Sequence, residues 1–324
     1  MREVREPRAA SRGEIGLAFA SIYILWGSTY LAIRFGVETI PPFILAGLRH
    51  ATAGVLLYLW TRRRSGVARP RPKQWRAAFV VGGLMLLGGN GLVTWAEQRV
   101  PSGLAALIVA SVPIWMTVLD GVQRRERPHG IVIVGLLLGL GGLAFLVAPG
   151  QFAGGSHVDP VGAAALLCAA LFWAIGSLHS RRADLPQSTL LATAMEMIGG
   201  AVLLFAASAV TGEWRGFSIA AVSARSWLAL AYLVVAGSLL GFTAYIFLLG
   251  ATTPARVSTY AYVNPVVAVV LGWLLAGEIV TPRTLVAAAV IVASVALIIR
   301  HGARRDVAPA EENVVPLRAE GGRR

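Results

Sequence analysis

Residues 101–113 read PSGLAALIVASVP, and residues 254–265 read PARVSTYAYVNP. Each stretch opens on proline, where a helix loses nothing by the missing N–H, runs on in small residues and carries a second proline near the middle of an apolar block. Glu126 and Glu278 follow the two blocks at equivalent distances. A second correspondence lies further out: Trp26-Gly27-Ser28-Thr29-Tyr30 matches Trp173-Ala174-Ile175-Gly176-Ser177. The chain therefore repeats itself, and the repeat decides the architecture.

Apolar blocks with few or no charges lie at about 15–36, 41–60, 77–96, 101–120, 130–149, 160–179, 188–210, 226–249, 254–277 and 282–300. A bilayer-crossing helix needs roughly 20 such residues. Of the 324 residues 56% are hydrophobic and 14% charged, and the mean hydropathy is +0.68, which excludes a water-soluble enzyme. The expectation is an all-α integral membrane protein of ten transmembrane helices. Five spans fall in each half, over 14–150 and 158–300. Because five is odd, the second half lies upside down relative to the first, an inverted repeat suited to a central site opened alternately to either side. A cytoplasmic tail is expected over 1–13 and a disordered one, mixing Arg, Glu, Pro and Gly, over 301–324.

The net charge of +13 is a topology signal. With the N-terminus in the cytoplasm, 23 of the 29 Lys and Arg residues fall on that side, as the positive-inside rule requires with both termini cytoplasmic. No single basic domain offers itself to nucleic acid. The first block lacks a small-residue cleavage site and reads as a retained span rather than a signal peptide. Cys168, the single cysteine, reads as a small core residue and excludes an internal disulfide framework.

The WGSTY run at 26–30, Arg49, Pro101-Ser102-Gly103 with Ser111-Val112-Pro113, and Tyr260-Ala261-Tyr262-Val263-Asn264-Pro265 with Gly277-Glu278 together resemble an EamA-type transporter of the drug/metabolite transporter (DMT) superfamily, nearest the YedA-like exporters. The resemblance covers about 14–300. It implies a ten-helix inner-membrane permease, often an exporter of amino acids, metabolites or amphiphilic toxins. One departure is Arg125-Glu126, where the resemblance expects Gly-Glu as in Gly277-Glu278.

Ionisable groups inside spans are functional candidates by default. Arg49, His50 and Glu196 fall near the bilayer midplane, and His50 and Glu196 are repeat equivalents. Three readings stand side by side: Arg49 paired with Glu196 as a structural link, Glu196 or His50 carrying a proton in the cycle, or direct contact with a charged substrate. Asn90, in Gly88-Gly89-Asn90-Gly91, and Asn264, before Pro265, sit where the helix is weakened and polar groups can face a cavity. Trp26, Tyr30, Trp173, Tyr245 and Tyr262 complete the candidate substrate site, either as plain packing or as an aromatic cage for flat or cationic molecules. The spacing of Gly135 to Gly139 and of Gly237 to Gly241 indicates close helix contact.

Several classes drop out. There is no GxxxxGK[ST] loop for ATP, the lone Lys73 lies in a loop and cannot form an intramembrane Schiff base, and no metal-ligand or haem spacing occurs. Neither a metal nor any other cofactor is expected. Glu97, Asp120, Asp159 and Asp184 are scattered over different ends, unlike the converging groups of an intramembrane enzyme. The expected function is secondary transport of a small molecule across the inner membrane, by proton-coupled export or by a facilitative or uptake route. The rivals are a lipid-modifying enzyme and a non-transporting scaffold. Expected partners are the substrate, the lipid bilayer and, as one arrangement, a second copy of the chain in a homodimer.

Overall fold

Proline and capping side chains set the helix starts. Helix α1 (Arg12–Gly36) opens on a capping box in which Glu14 N–H donates to Ser11 Oγ at 3.2 Å and Ser11 N–H donates to Glu14 Oε2 at 2.7 Å. Pro42, Pro72, Pro160 and Pro282 begin α2 (Pro42–Arg62), α3 (Pro72–Ala96), α6 (Pro160–Ser180) and α10 (Pro282–Arg305), where the missing N–H costs no bond. The Asp159, Ser188 and Ser223 side chains accept from the first turns of α6, α7 (Thr189–Val210) and α8 (Ala224–Ala251). The remaining helices are α4 (Ser102–Val109, resumed at Val112–Arg124 after a break beside Pro113), α5 (Gly130–Val147) and α9 (Tyr260–Ala276).

The computed structural model describes residues 11–63, 67–125, 130–147, 159–252, 257 and 259–305. The expectations about Glu126, Pro254, residues 1–10 and residues 306–324 fall outside these. Among the described residues there is no strand. Seven helices, α1 to α4 and α6 to α8, are long and apolar enough to cross a membrane; Gly130–Leu146, Val263–Ala276 and Pro282–Ile298 are shorter apolar stretches. Helix α10 runs on to Arg305, so the tail expected to be disordered from 301 begins as helix.

Side chains such as Leu17, Val80, Leu137, Val202 and Leu228 face outward and are exposed, while Ile22, Ile44, Leu107 and Leu166 fill the interior. An apolar exterior of this extent suits lipid rather than water. Cys168 is exposed on that exterior, correcting its reading as a core residue. A helix that is apolar all round carries no periodicity to say which face turns inward.

The helix pairing has a pattern of its own. Helix α2 packs on α7, α5 on α10 and α4 on α9, each joining elements at the same position of the two halves. Further contacts come in exchanged pairs: α1 on α9 with α6 on α4, α1 on α8 with α6 on α3, and α3 on α7 with α8 on α2. Glycines make the closest approaches. A Cβ on Gly82 would lie 2.8 Å from Gly200 N, and one on Gly135 would lie 2.9 Å from Ile298.

The turn ending α4 explains the Arg125 departure. Arg125 has φ 55°, in the left-handed region, as does Gly277 with φ 64° at the matching end of α9. The backbone thus repeats although the residue does not. A side chain in this conformation costs roughly 1–2 kcal/mol, so Arg125→Gly is expected to raise the melting temperature of the purified protein by about 2 °C. An unchanged or lower melting temperature would refute strain at this turn.

Candidate functional site

Two helices widen at their middles. Residues Gly83–Gly91 of α3 and Leu233–Leu240 of α8 are wound as π-helix, a geometry that adds a residue to the turn and marks functional positions more often than ordinary ones. The first segment presents Asn90 and the second Gly237 and Ser238. Beside the α3 segment lies a cavity of about 400 Å³ bordered by α1, α2, α3, α4, α6, α8, α9 and α10.

Most of the expected site residues meet here. Trp26, Tyr30, Asn90, Trp173 and Asn264 line the cavity, with Arg49 and His50. Tyr245 stands one layer back, its ring 5.3 Å from that of Trp26 and 6.1 Å from that of Tyr260. The Tyr262 side chain lies outside the described residues. Glu196 does not line the cavity; its backbone carbonyl faces Gly82 on the contact between α7 and α3.

The expected Arg49–Glu196 pair is absent, and among the described residues Glu196 has no ion pair. Arg49 instead donates through Nε to Ser238 Oγ at 3.0 Å, on the π-helical turn of α8. Span position in the sequence leads to the expectation of a similar depth for both residues; the structure turns them in different directions around their helices. Trp26 Nε1 donates to Gly237 O at 3.0 Å beside this bond, and its ring meets those of Phe242 at 5.5 Å and Tyr260 at 5.1 Å. His50 is 1% exposed and lies beside Asn90. Both of its ring nitrogens and Asn90 Oδ1 lack a partner at hydrogen-bond geometry among the described residues.

The two ends of the cavity differ. Towards the face where α9 begins, Tyr260, Ala261 and Arg181 border it. The other face is closed by carboxylates on helix N-termini, where backbone donors and the helix dipole favour an anion. Glu278 Oε1 accepts from Ser102 N–H at 2.6 Å and Ser102 Oγ–H at 2.8 Å, and Oε2 accepts from Gly103 N–H at 2.9 Å. Glu213 does the same for α2, accepting from Phe43 N–H at 3.2 Å and Ile44 N–H at 3.0 Å. Partial burial pushes its carboxyl up from the usual range, against the opposing pull of those two N–H groups.

The model of the family described as "EamA-like transporter family" matches this chain twice, over residues 13–148 and 160–300. The chain belongs to the EamA-like transporter family. Within the DMT superfamily it is similar to the uncharacterized inner membrane transporter YedA of Escherichia coli strain K12, 40% identical over 285 residues that cover 87% of this chain and 89% of that one. The uncharacterized transporter YvbV of Bacillus subtilis is 25% identical over 87% of this chain and 90% of its own. A probable terminal-alkyne amino-acid exporter of Streptantibioticus cattleyicolor is 27% identical over 87% of this chain and 93% of its own. A solved crystal structure at 22% identity shares the fold, with a TM-score of 0.61 over 91% of this chain and 100% of that one.

Against that family background, Glu97 is the residue that sequence reasoning passed over. Read as one of several acids at scattered helix ends, it is 0% exposed, and neither carboxylate oxygen has a hydrogen-bond partner among the described residues. Arg34 Nη1 donates to its backbone carbonyl at 2.6 Å, and Arg34, Arg49 and Glu278 are its charged neighbours. The available signal was Arg34, a cation at the end of one apolar block opposite an acid at the end of another.

Proposed function

We propose that this EamA-family chain is a ten-span permease of the inner membrane, with both termini cytoplasmic, that exports small metabolites, amino acids or amphiphilic drugs by alternating access. The observation that carries this reading is the cavity of about 400 Å³ set among helices of both halves and lined by Trp26, Arg49, Asn90, Trp173 and Asn264. On the proposed topology the end of the cavity bordered by Arg181 and Tyr260 faces the cytoplasm. The exchanged helix contacts and the matching π-helical segments of α3 and α8 support two inverted repeats, an architecture suited to opening a central site to either side in a single rocking motion. The names of the relatives support a transported solute, and one of them supports an amino acid or similar compound.

The test is saturable flux or counterflow of amino acids, aromatic metabolites and amphiphilic drugs in proteoliposomes. Absence of flux for every compound, in protein that is folded and inserted, would overturn the reading. Cysteines introduced over 62–74 are expected to be labelled only after the membrane is made permeable, and labelling in intact cells would overturn the topology.

A second reading, a facilitator without proton coupling, is favoured by the cavity wall, which carries no carboxylate among the described residues. An imposed pH gradient separates the two. Acceleration that is lost in Glu196→Gln or His50→Gln supports coupling at that residue, whereas flux indifferent to the gradient supports the facilitator.

A further inference from the structure

We propose that the cavity takes its substrate as a carboxylate, held by the Arg49 guanidinium, with an apolar or aromatic body against the wall built on Trp26 and Tyr260. The inference rests on the transporter reading and names the chemistry of that site. Its first support is charge. The charged side chains lining the cavity are Arg49 and Arg181, and no Asp or Glu joins them among the described residues. A cavity whose charged lining is of one sign favours a ligand of the opposite charge.

The second support is the state of Arg49, which is 5% exposed. Its one hydrogen bond among the described residues is from Nε to Ser238 Oγ. This bond fixes the plane of the guanidinium and leaves the Nη donors uncommitted, in the fork that matches a carboxylate. Nη2 rests against Gly237, where a Cβ would come within 3.2 Å, so glycine at that turn makes room for the group. Glu97 offsets part of the charge from nearby without accepting any of these donors.

His50, next to Arg49 on α2, lines the same cavity, and neither of its ring nitrogens has a partner at hydrogen-bond geometry among the described residues. A neutral imidazole offers one N–H for a second carboxylate oxygen. The indole of Trp26 is bonded to Gly237 O, next to the Ser238 that holds Arg49. It thereby joins the cation to the aromatic wall of Phe242 and Tyr260. A cationic substrate in an aromatic cage would face Arg49 directly, and like charges at short range in a dry site repel by more than a ring face attracts.

Calorimetric titration of the full-length protein in lipid nanodiscs tests this with probes that differ mainly in charge: phenylacetate, phenylacetamide, phenethylamine and phenylalanine. Phenylacetate is expected to bind at least ten-fold more tightly than the amide, as a charge-assisted fork demands, and phenethylamine more weakly than either. Phenylalanine matching phenylacetate assigns the carboxylate to an amino acid, and phenylalanine well below it assigns the carboxylate to a simple organic acid. In Arg49→Gln the ratio of phenylacetate to phenylacetamide affinity falls to near one while the amide still binds, and Arg49→Lys restores part of it. A purely structural Arg49 would weaken both ligands alike and leave the ratio standing. Should Arg49→Gln not fold, the wild-type series and Arg49→Lys still decide. Phenethylamine binding as tightly as phenylacetate, or a ratio that survives in a folded variant, overturns the proposal. Because the readout is binding, failure of every flux assay alongside an intact charge series would sink the transport reading and not this one.

Discussion

Glu278→Ala is expected to lower substrate flux more than ten-fold and to open the closed face of the cavity. The carboxylate accepts three hydrogen bonds from the start of α4, although it belongs to the turn between α9 and α10. It is therefore the bolt between the two halves on that face. Gly272 leaves the room it occupies, since a Cβ there would come within 2.9 Å of the Glu278 Cδ. Removing the acceptor strands donors at a helix N-terminus, at about 1–3 kcal/mol each where they stay dry. Two such donors suffice to move a two-state equilibrium by a factor of ten or more. Alanine therefore favours the conformation in which α1 and α4 part and water reaches the donors. Val100, 0% exposed beside this contact, provides the readout. In a Cys168→Ser background, Val100→Cys should resist an impermeant maleimide and become labelled once Glu278→Ala is added. Glu278→Gln should fall between, because its NH2 would oppose one of the same N–H donors. An unlabelled Val100→Cys together with normal flux would show that the bolt carries no weight.

The contact between Glu278 and α4 also marks how far the sequence could be read. The spans at 41–60 and 160–179 become Pro42–Arg62 and Pro160–Ser180, because span length is set by bilayer thickness and proline fixes the starts; both are one-dimensional signals. The expected cavity residues Trp26, Asn90, Trp173 and Asn264 were legible for a similar reason, since a polar or large aromatic group in an apolar run has few tolerable positions. What failed was direction around the axis. Cys168 faces outward and Glu196 turns away from Arg49, and helices this uniformly apolar carry no moment to reveal it. The π-helix of α3 had a hint in Gly88-Gly89, but LVVAGSLL at 233–240 has no comparable breaker until Gly237. The segment packs against α1 and α2, contacts that are remote in sequence. Glu97 was missed because its burial is made by Arg34 and the α9–α10 turn, which are remote in sequence.

Asn264→Leu is expected to reduce flux about ten-fold while most of the protein still folds and inserts. Oriented to satisfy its neighbours, the Asn264 amide donates to Tyr23 O of α1 and to Tyr260 O one turn back in α9, at 3.3 Å each. The second of these bonds braces the turn that Pro265 weakens by having no N–H to offer. The first ties α9 to α1 across the cavity. Gly27 makes that approach possible, since a Cβ there would lie 2.6 Å from Val267 Cβ and 3.2 Å from Asn264 O. Leucine keeps much of the volume and loses both bonds, at about 1–3 kcal/mol for the pair, less than a folded membrane bundle needs to stay assembled. The larger loss falls on function, because α1 and α9 both border the cavity. A wall free to slide there no longer presents Trp26 and Tyr260 at fixed spacing. Asn264→Asp keeps the shape but replaces the donating amide with a charge and should be at least as damaging. Full flux in Asn264→Leu would remove the amide from the working site and leave Pro265 alone as the reason for the break.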